Sequence, residues 1–292
     1  MDRREMLRYL GLTAVVGLSY ACGQGRPPVS TGPSGKSAAP AVEQPALIVA
    51  NSELVVGRNR LLVAIVQDGR PVRDANVTYE IFELRGQEGI KRAEAPAVFR
   101  STDGGSRGLY AGWVSFDKSG PWGVGVLANR SGEPPVAVRA TLQVASQSPT
   151  PQIGSAAIPS ANRLLTEAQD PAEVCSAVPV CEMHTQRVSD ALGLSKPLVV
   201  VFATPGYCTS QTCAPVVNEV LKVRAKYLAQ ASFVHVEIFS DPRERTVAQP
   251  VLEWRLQSEP WTFVVDRQGA IAERFESITM AEEVEEALSA VL

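Results

Sequence analysis

The chain has 292 residues, a formal net charge of −3 at pH 7, 45% hydrophobic residues and 20% charged residues. This length allows two ordinary domains with tails. The nearly balanced charge gives no electrostatic case for binding nucleic acid. After the first two dozen residues no apolar run approaches the length that spans a bilayer. The composition therefore predicts a soluble, folded and mildly acidic protein.

Residues 1–22 have the pattern of a secretory signal peptide. The pair Arg3-Arg4 precedes a short apolar region, Leu10–Leu18, and small residues follow. The paired arginines resemble a twin-arginine signal, which exports folded proteins. Cys22, after these small residues, resembles the acylated cysteine of bacterial lipoproteins, although Ser19 stands where those signals have leucine. We expect a lipid anchor on Cys22 at the outer face of the cytoplasmic membrane. The alternative is ordinary cleavage that leaves Cys22 as a free thiol.

Residues 23–45 are rich in Gly, Pro, Ser and Ala, which predicts a flexible stalk. Residues 46–145 contain short β-like runs separated by turn residues, which predict an all-β sandwich. The predicted strands are Ser52–Val56, Arg60–Val66, Asn76–Phe82, Leu109–Phe116, Trp122–Ala128 and Val136–Val144. Their order resembles an immunoglobulin-like extracellular module. Because no cluster of His, Cys or carboxylates occurs here, we expect a spacer or a partner-binding role.

Residues 146–160 are again rich in Pro, Ser and Gly and are predicted as an interdomain linker, so residues 161–292 form the second domain. Its central feature is the apolar run Leu198–Ala203, which predicts a strand buried on both faces. Pro205-Gly206 then predicts a turn, and the residues after Cys213 have apolar side chains at helical spacing. Cys208 is therefore placed near a helix N-terminus, where the dipole and free N–H groups favour a thiolate.

Residues 185–292 resemble the thioredoxin-like superfamily in their order of strand, cysteine turn, helix, strand, proline-led hairpin and final helix. Pro260, directly before an apolar strand, stands where that fold has a cis-proline facing the active cysteines. The resemblance implies an α/β fold and thiol–disulfide exchange on exported proteins. It implies Cys208 as the nucleophile, Cys213 as the resolving thiol and Pro260 as a residue that shapes the substrate groove. No cofactor and no metal are predicted, and the oligomeric state stays open.

The sequence departs from the thioredoxin pattern in two ways. Four residues separate Cys208 from Cys213, where the usual motif has two. In a regular helix, Cα atoms five residues apart lie about 8.6 Å from each other, and a disulfide tolerates no more than roughly 7 Å. Cys208 must therefore precede the helix if the two are to bridge. The predicted strand also lacks the buried carboxylate of thioredoxins, and Glu259 beside Pro260 is a candidate substitute.

Cys175 and Cys181 enclose a proline-containing loop, and we expect a structural disulfide between them. A relay of electrons from this pair to the other cysteines is the alternative. His235 lies in a predicted strand, which favours a core position. The competing function is a non-catalytic binding lipoprotein with structural disulfides. Cys181-x-x-His184 could contribute to a metal site, so copper binding or delivery is kept as a further alternative.

Overall fold

The computed structural model describes residues 44–86, 88–102, 105 and 108–292. All of them belong to the compact unit Val42–Leu292. The predicted signal peptide, Cys22 and nearly all of the predicted stalk lie outside the described residues. Within the described ranges, no helix is both long enough and apolar enough to cross a membrane.

The first part of the described chain is an antiparallel β region. Its strands are β1 (Ala46–Val49), β2 (Gly57–Gln67), β3 (Arg70–Pro71), β4 (Asn76–Arg85), β5 (Glu88–Arg100), β6 (Leu109–Phe116), β7 (Gly120–Asn129) and β8 (Val136–Val144). They are ordered β1-β2-β6-β5-β4-β7-β8, and β3 pairs with β2. Strand β5 pairs with β4 as far as Ala97 and with β6 from Val98, so it joins the two halves of the sheet. Side chains from β2 and β4–β8 share one hydrophobic core.

The predicted β region is thus confirmed, with two differences in its strands. Ser52–Val56 is wrong as a strand, because only Val55 forms an isolated bridge there, with Ala145. Strands β1, β3 and β5 were not predicted. Most side chains of β5 are exposed, so its sequence lacks the apolar alternation that marks a half-buried strand. The immunoglobulin-like topology stays a prediction.

The second part of the chain contains a mixed four-stranded sheet. Its elements are α1 (Val188–Leu192), β9 (Leu198–Ala203), α2 (Cys213–Tyr227), β10 (Ser232–Glu237), β11 (Phe239–Asp241), β12 (Thr246–Val247), α3 (Gln249–Glu253), β13 (Trp261–Val265), β14 (Ile271–Glu276) and α4 (Ala281–Ser289). The sheet order is β10-β9-β13-β14, with β11 and β12 as a separate pair. Only β9 and β10 run parallel within it. The predicted order of strand, cysteine turn, helix, strand, hairpin and final helix is therefore present.

Strand β9 is buried on both faces, as predicted. Val199, Val201 and Ala203 pack in one core cluster with side chains of α2 and α4. The alternate residues of the strand pack in another cluster with side chains of α1 and α3. Helices thus cover both faces of the sheet. A strand with no solvent-exposed face reads as a continuous apolar run, and this is why the sequence signal is strong.

Part of the predicted linker adds to the edge of this sheet. The N–H of Gly154 donates to the carbonyl oxygen of Ile271 at 2.8 Å, and that of Ala157 donates to Gly269 at 2.8 Å. Between them, Ala156 forms an antiparallel bridge with Ala270. Residues 154–157 are therefore held by backbone hydrogen bonds alongside β14.

A buried ion pair joins the β region to the start of α4. The guanidinium of Arg60 donates to both carboxylate oxygens of Glu283, at 3.1 and 3.0 Å. It also donates to the carbonyl oxygens of Glu276 at 3.2 Å and Ile278 at 2.8 Å. The Arg60 and Glu283 side chains are only 4% and 9% exposed. Removing either charge would leave the other buried without its main partner.

Helix α4 begins one residue later than the sequence indicates. The sequence pattern places Thr279 at the N-cap, but Met280 has that position in the structure. The Thr279 hydroxyl instead donates to the carbonyl oxygen of Ser277 at 3.1 Å. The backbone N–H of Met280 is satisfied by the Glu283 carboxylate at 3.1 Å.

Candidate functional site

Cys208 and Cys213 meet at the turn between β9 and α2. Cys213 is the first residue of α2 and is fully buried, whereas Cys208 lies in the preceding turn and is partly exposed. The N-cap residue, Thr212, makes no side-chain capping bond. The first N–H groups of the helix are thus left for another acceptor. A disulfide between the two cysteines requires Cys208 to precede the helix, and Cys208 does so in the structure.

The surroundings of Cys208 favour its thiolate. Its pKa is lowered to about 4, first because the Cys213 thiol donates a hydrogen bond to it, and then because the Ser210 hydroxyl and the backbone N–H groups of Cys213 and Thr212 do so. Burial opposes this shift. The Ser210 oxygen lies 3.1 Å from the Cys208 sulfur.

The pKa of Cys213 is raised, because its thiol donates to Cys208 and because it is buried. The two thiols therefore differ in character. At neutral pH the partly exposed sulfur of Cys208 is anionic, and the buried sulfur of Cys213 keeps its proton.

Glu259 and Pro260 border the same turn. The peptide bond between them is cis, and Pro260 is buried. Burial and the nearby Cys208 charge raise the pKa of Glu259, while Arg245 lowers it. Glu259 thus lies close enough to Cys208 for the two charges to interact, and its role as a substitute for the missing carboxylate stays a prediction.

A cavity of about 370 Å³ opens between these groups. Ser210 and Thr212 line it from the cysteine turn, Ser258 and Glu259 line it from the proline segment, and Leu109 lines it from β6. Tyr207, one residue before the first cysteine, is 49% exposed. The cysteine turn therefore has an open side at this cavity.

The structure also brings Cys175, Cys181, His184 and His235 together. Their ligand atoms all lie within 4.8 Å of one another, and all four residues are buried. The Nδ1 atom of His235 lies 3.9 Å from the sulfur of Cys175 and 3.2 Å from that of Cys181. The Nε2 atom of His184 lies 2.9 Å from the same Nδ1. The pKa of His184 is lowered, chiefly by burial.

Strand β10 and the chain segment along its edge position this second cluster. The N–H of His235 donates to the carbonyl oxygen of Met183 at 2.8 Å, which holds residues 181–184 beside the strand. Because His235 is in register with Val201, both side chains point to the same face of the sheet. That face also packs Cys175 and Cys181.

The sequence alone predicts separate roles for these residues. All four cysteines of the described chain are free thiols in the structure, so the predicted disulfide between Cys175 and Cys181 stays a prediction. His235 is buried in a strand as expected, but its ring faces two thiols. The local signal was Cys181-x-x-His184; no sequence signal linked it to His235.

The two cysteine sites are connected through one serine. The Gly206 N–H, in the turn before Cys208, donates to the Ser176 hydroxyl oxygen at 2.9 Å. The Ser176 hydroxyl in turn donates to the Glu237 carboxylate at 2.7 Å. The segment that carries Cys175 is therefore in direct contact with the turn that carries Cys208.

No protein-family model matches this chain, and no curated protein matches it. Part of the chain is similar to a thioredoxin-family thiol:disulfide interchange protein from Chlorobium tepidum TLS, with 14% identity, a TM-score of 0.30, and coverage of 35% of this chain and 83% of that one. A proposed thiol:disulfide interchange protein DsbE from Chlorobium tepidum has 15% identity, a TM-score of 0.36, and coverage of 49% and 99%. A DUF4426 family protein from Pseudomonas aeruginosa PAO1 has 18% identity, a TM-score of 0.26, and coverage of 36% and 91%. These partial, low-scoring likenesses leave the function to be argued from the site itself.

Proposed function

We propose that this chain is an exported thioredoxin-like thiol–disulfide oxidoreductase that acts on the thiols and disulfides of other extracytoplasmic proteins. One observation carries the proposal: the partly exposed Cys208 accepts a hydrogen bond from the buried Cys213 at the start of α2. This arrangement places a nucleophilic thiolate at the surface and a protonated resolving thiol directly behind it.

In the first step, the Cys208 thiolate attacks one sulfur of a substrate disulfide. A sulfur–sulfur bond forms between Cys208 and the substrate as the substrate disulfide breaks, and the other substrate sulfur leaves as a thiolate. The low pKa of Cys208 also makes it a good leaving group when a substrate thiolate attacks the substrate sulfur of the mixed disulfide, which releases Cys208 as a thiolate.

In the second step, Cys213 loses its proton and attacks the sulfur of Cys208. The Cys208–Cys213 disulfide forms, the mixed disulfide breaks, and the second substrate sulfur leaves as a thiolate. Two electrons have then passed from the cysteine pair to the substrate. We assign Glu259 as the group that takes the Cys213 proton and returns it to the departing thiolate, because its raised pKa and its interaction with Cys208 suit proton exchange there.

Pro260 and the cavity beside it form the proposed substrate groove. Ser210 and Thr212 of the cysteine turn line the cavity on one side, and Ser258 and Glu259, which precede Pro260, line it on the other. A substrate strand lying in this groove would pass Ser210, whose hydroxyl oxygen lies 3.1 Å from the Cys208 sulfur.

The test is a redox titration of the full chain with alkylation and mass mapping of each cysteine. We expect the Cys208–Cys213 pair to equilibrate between about −120 and −270 mV, the range of exchange proteins. If the pair stays oxidised to below roughly −300 mV, it is a structural bond and the chain is a binding protein. A second assay uses Cys213→Ser, which should accumulate a mixed disulfide on Cys208, with Cys208→Ser as the matched control that traps nothing.

Export and anchoring are part of the proposal and rest on the pattern of residues 1–22. We expect the protein in the membrane fraction, with an acyl group on Cys22 detected by mass spectrometry of the N-terminal peptide. Cys22→Ser should release the protein from the membrane. An unmodified Cys22 in a protein that is not membrane-bound would favour ordinary cleavage.

A further inference from the structure

The four side chains buried beside β10 have the composition of a tetrahedral metal site. Two thiols and two imidazoles are the ligand set of Cys₂His₂ zinc sites. With ordinary zinc bond lengths, two nitrogen ligands lie about 3.4 Å apart and a nitrogen and a sulfur about 3.6 Å apart. The separations here are 2.9 Å between the His184 and His235 nitrogens, and 3.2 and 3.9 Å from His235 to the sulfurs of Cys181 and Cys175. These three separations lie within about half an ångström of the zinc values, and all four ligand atoms lie within 4.8 Å of one another.

We propose that Cys175, Cys181, His184 and His235 bind one zinc ion that fastens the segment 175–184 to strand β10.

A hydrogen bond outside the cluster orients His235 for this role. Its Nε2 lies 3.1 Å from the carbonyl oxygen of Ala203, at the end of β9. Because that oxygen can only accept, Nε2 carries the proton and Nδ1 presents a lone pair to the cluster. A metal-binding histidine is typically fixed in this way, by donating its other N–H to a carbonyl or carboxylate.

The sulfur of Cys175 also has a suitable donor. The backbone N–H of Cys181 lies 3.5 Å from it and donates to it. A backbone N–H favours the thiolate form that a metal requires. It also sets the loop between the two cysteines so that both sulfurs face His235.

The charges in this region call for a divalent cation. All four candidate ligands are at most 5% exposed, and two buried thiolates without a counter-ion would be costly. Zn²⁺ with two thiolates is neutral, whereas Cu⁺ with the same ligands would leave a net negative charge. The carboxylate of Glu237 adds negative charge beside the cluster. Glu237 lines a cavity of about 170 Å³ together with both histidines, and its Oε2 atom is buried without a hydrogen-bond partner.

The proposed site differs from the redox pair in what it can do. Four protein ligands close a tetrahedral zinc site and leave no position for substrate, so its role is structural. The site uses none of the residues of the exchange reaction, so either proposal can fail alone.

The experiment measures zinc in the full chain, purified under reducing conditions without chelator. We expect one zinc per chain by mass spectrometry of the metal, and tetrahedral cobalt–thiolate absorption bands after replacement of zinc by Co²⁺. Cys181→Ser and His235→Gln should lose the zinc. The double variant Cys208→Ser/Cys213→Ser is the matched control, because it removes two other thiols and should keep the zinc.

Alkylation of the wild-type protein provides a measurement that needs no variant. Cys175 and Cys181 should be protected while zinc is bound and should become reactive when a chelator removes it. A Cys175–Cys181 disulfide in metal-free protein, copper in place of zinc under zinc-loading conditions, or zinc lost from the Cys208→Ser/Cys213→Ser control would each overturn the proposal.

Discussion

Cys213→Ala removes the largest cause of the low Cys208 pKa, and the size of the effect can be worked out. A thiol with an ordinary pKa of 9.0 is ionised to about 1% at pH 7, whereas one with a pKa of about 4 is almost fully ionised. Thiolate nucleophilicity, however, falls with pKa at a slope of about 0.4–0.5. Over this shift the two effects nearly cancel at pH 7, so a reaction rate at neutral pH is a poor test.

At pH 5 the difference becomes measurable. The low-pKa thiol is still about 90% ionised there, while an ordinary thiol is ionised to about 0.01%. After correction for nucleophilicity, wild-type Cys208 should react with iodoacetamide about fiftyfold faster than a thiol of ordinary pKa. Cys213→Ala should lie between these limits, because Ser210 and the backbone N–H groups still favour the thiolate.

The assay follows thiolate absorbance and alkylation of Cys208 from pH 3 to pH 10 in the reduced protein. We expect a midpoint near 4 in the wild type and a clearly higher midpoint in Cys213→Ala. Ser210→Ala is the matched control and should raise the midpoint less, because the Cys213 hydrogen bond is the larger cause. A wild-type midpoint near 9, or one unchanged by Cys213→Ala, would refute the reasoning.

The same shift predicts how the stability of the reduced protein depends on pH. The folded-state pKa of Cys208 is lowered from 9.0 to about 4, so between these values the unfolded chain binds more protons. The stabilisation is therefore fully present above about pH 9 and is lost as pH falls towards 4. Denaturant unfolding of the reduced and oxidised forms should show it in the reduced form alone.

Three further predictions concern the surroundings of the site and the β region. Arg60→Met should lower the free energy of unfolding by about 3–5 kcal/mol in urea, because it strands a buried carboxylate; a loss no larger than that of an average surface change would contradict this. Cys208→Ser should lower the pKa of Glu259 in an NMR titration, because the neighbouring thiolate is gone. Burial should still keep this pKa above the usual value. An unchanged pKa would show that the charge of Cys208 does not act on Glu259. Gly112→Ala should lower the free energy of unfolding in urea by about 1–3 kcal/mol, because the added Cβ would lie 2.8 Å from a backbone oxygen and from an aromatic ring. Gly89→Ala is the control and should lower it less, because the nearest atom to a Cβ there is 3.6 Å away.

The order of elements around β9 could be predicted because its signals are local. A strand covered on both faces is a continuous apolar run, and Pro205-Gly206 marks the turn that ends it. Strand β5 escaped prediction for the opposite reason: most of its side chains are exposed, and backbone pairing with β4 and β6 holds it in place. Because pairing between strands is a tertiary contact, it leaves no pattern of alternating apolar residues in the sequence of β5.

The two cysteine sites differ in the same way. Cys208 and Cys213 are close in sequence and precede a helix, so their meeting could be inferred. His235 is 51 residues from His184 and 60 from Cys175, and the position of residues 181–184 along the edge of β10 brings them together. The motif Cys181-x-x-His184 suggested two metal ligands, but no local pattern identified Cys175 or His235 as their partners.

The ion pair between Arg60 and Glu283 affects how this protein can be divided for biochemical work. A fragment cut at residue 161 would lack residues 154–157, which hydrogen-bond along β14, and would leave the Glu283 carboxylate without Arg60. A shortened version that begins before Gly154 and carries Glu283→Gln keeps these hydrogen bonds and removes the buried carboxylate, although Glu273 and Arg274 still lose their partners Arg58 and Glu53.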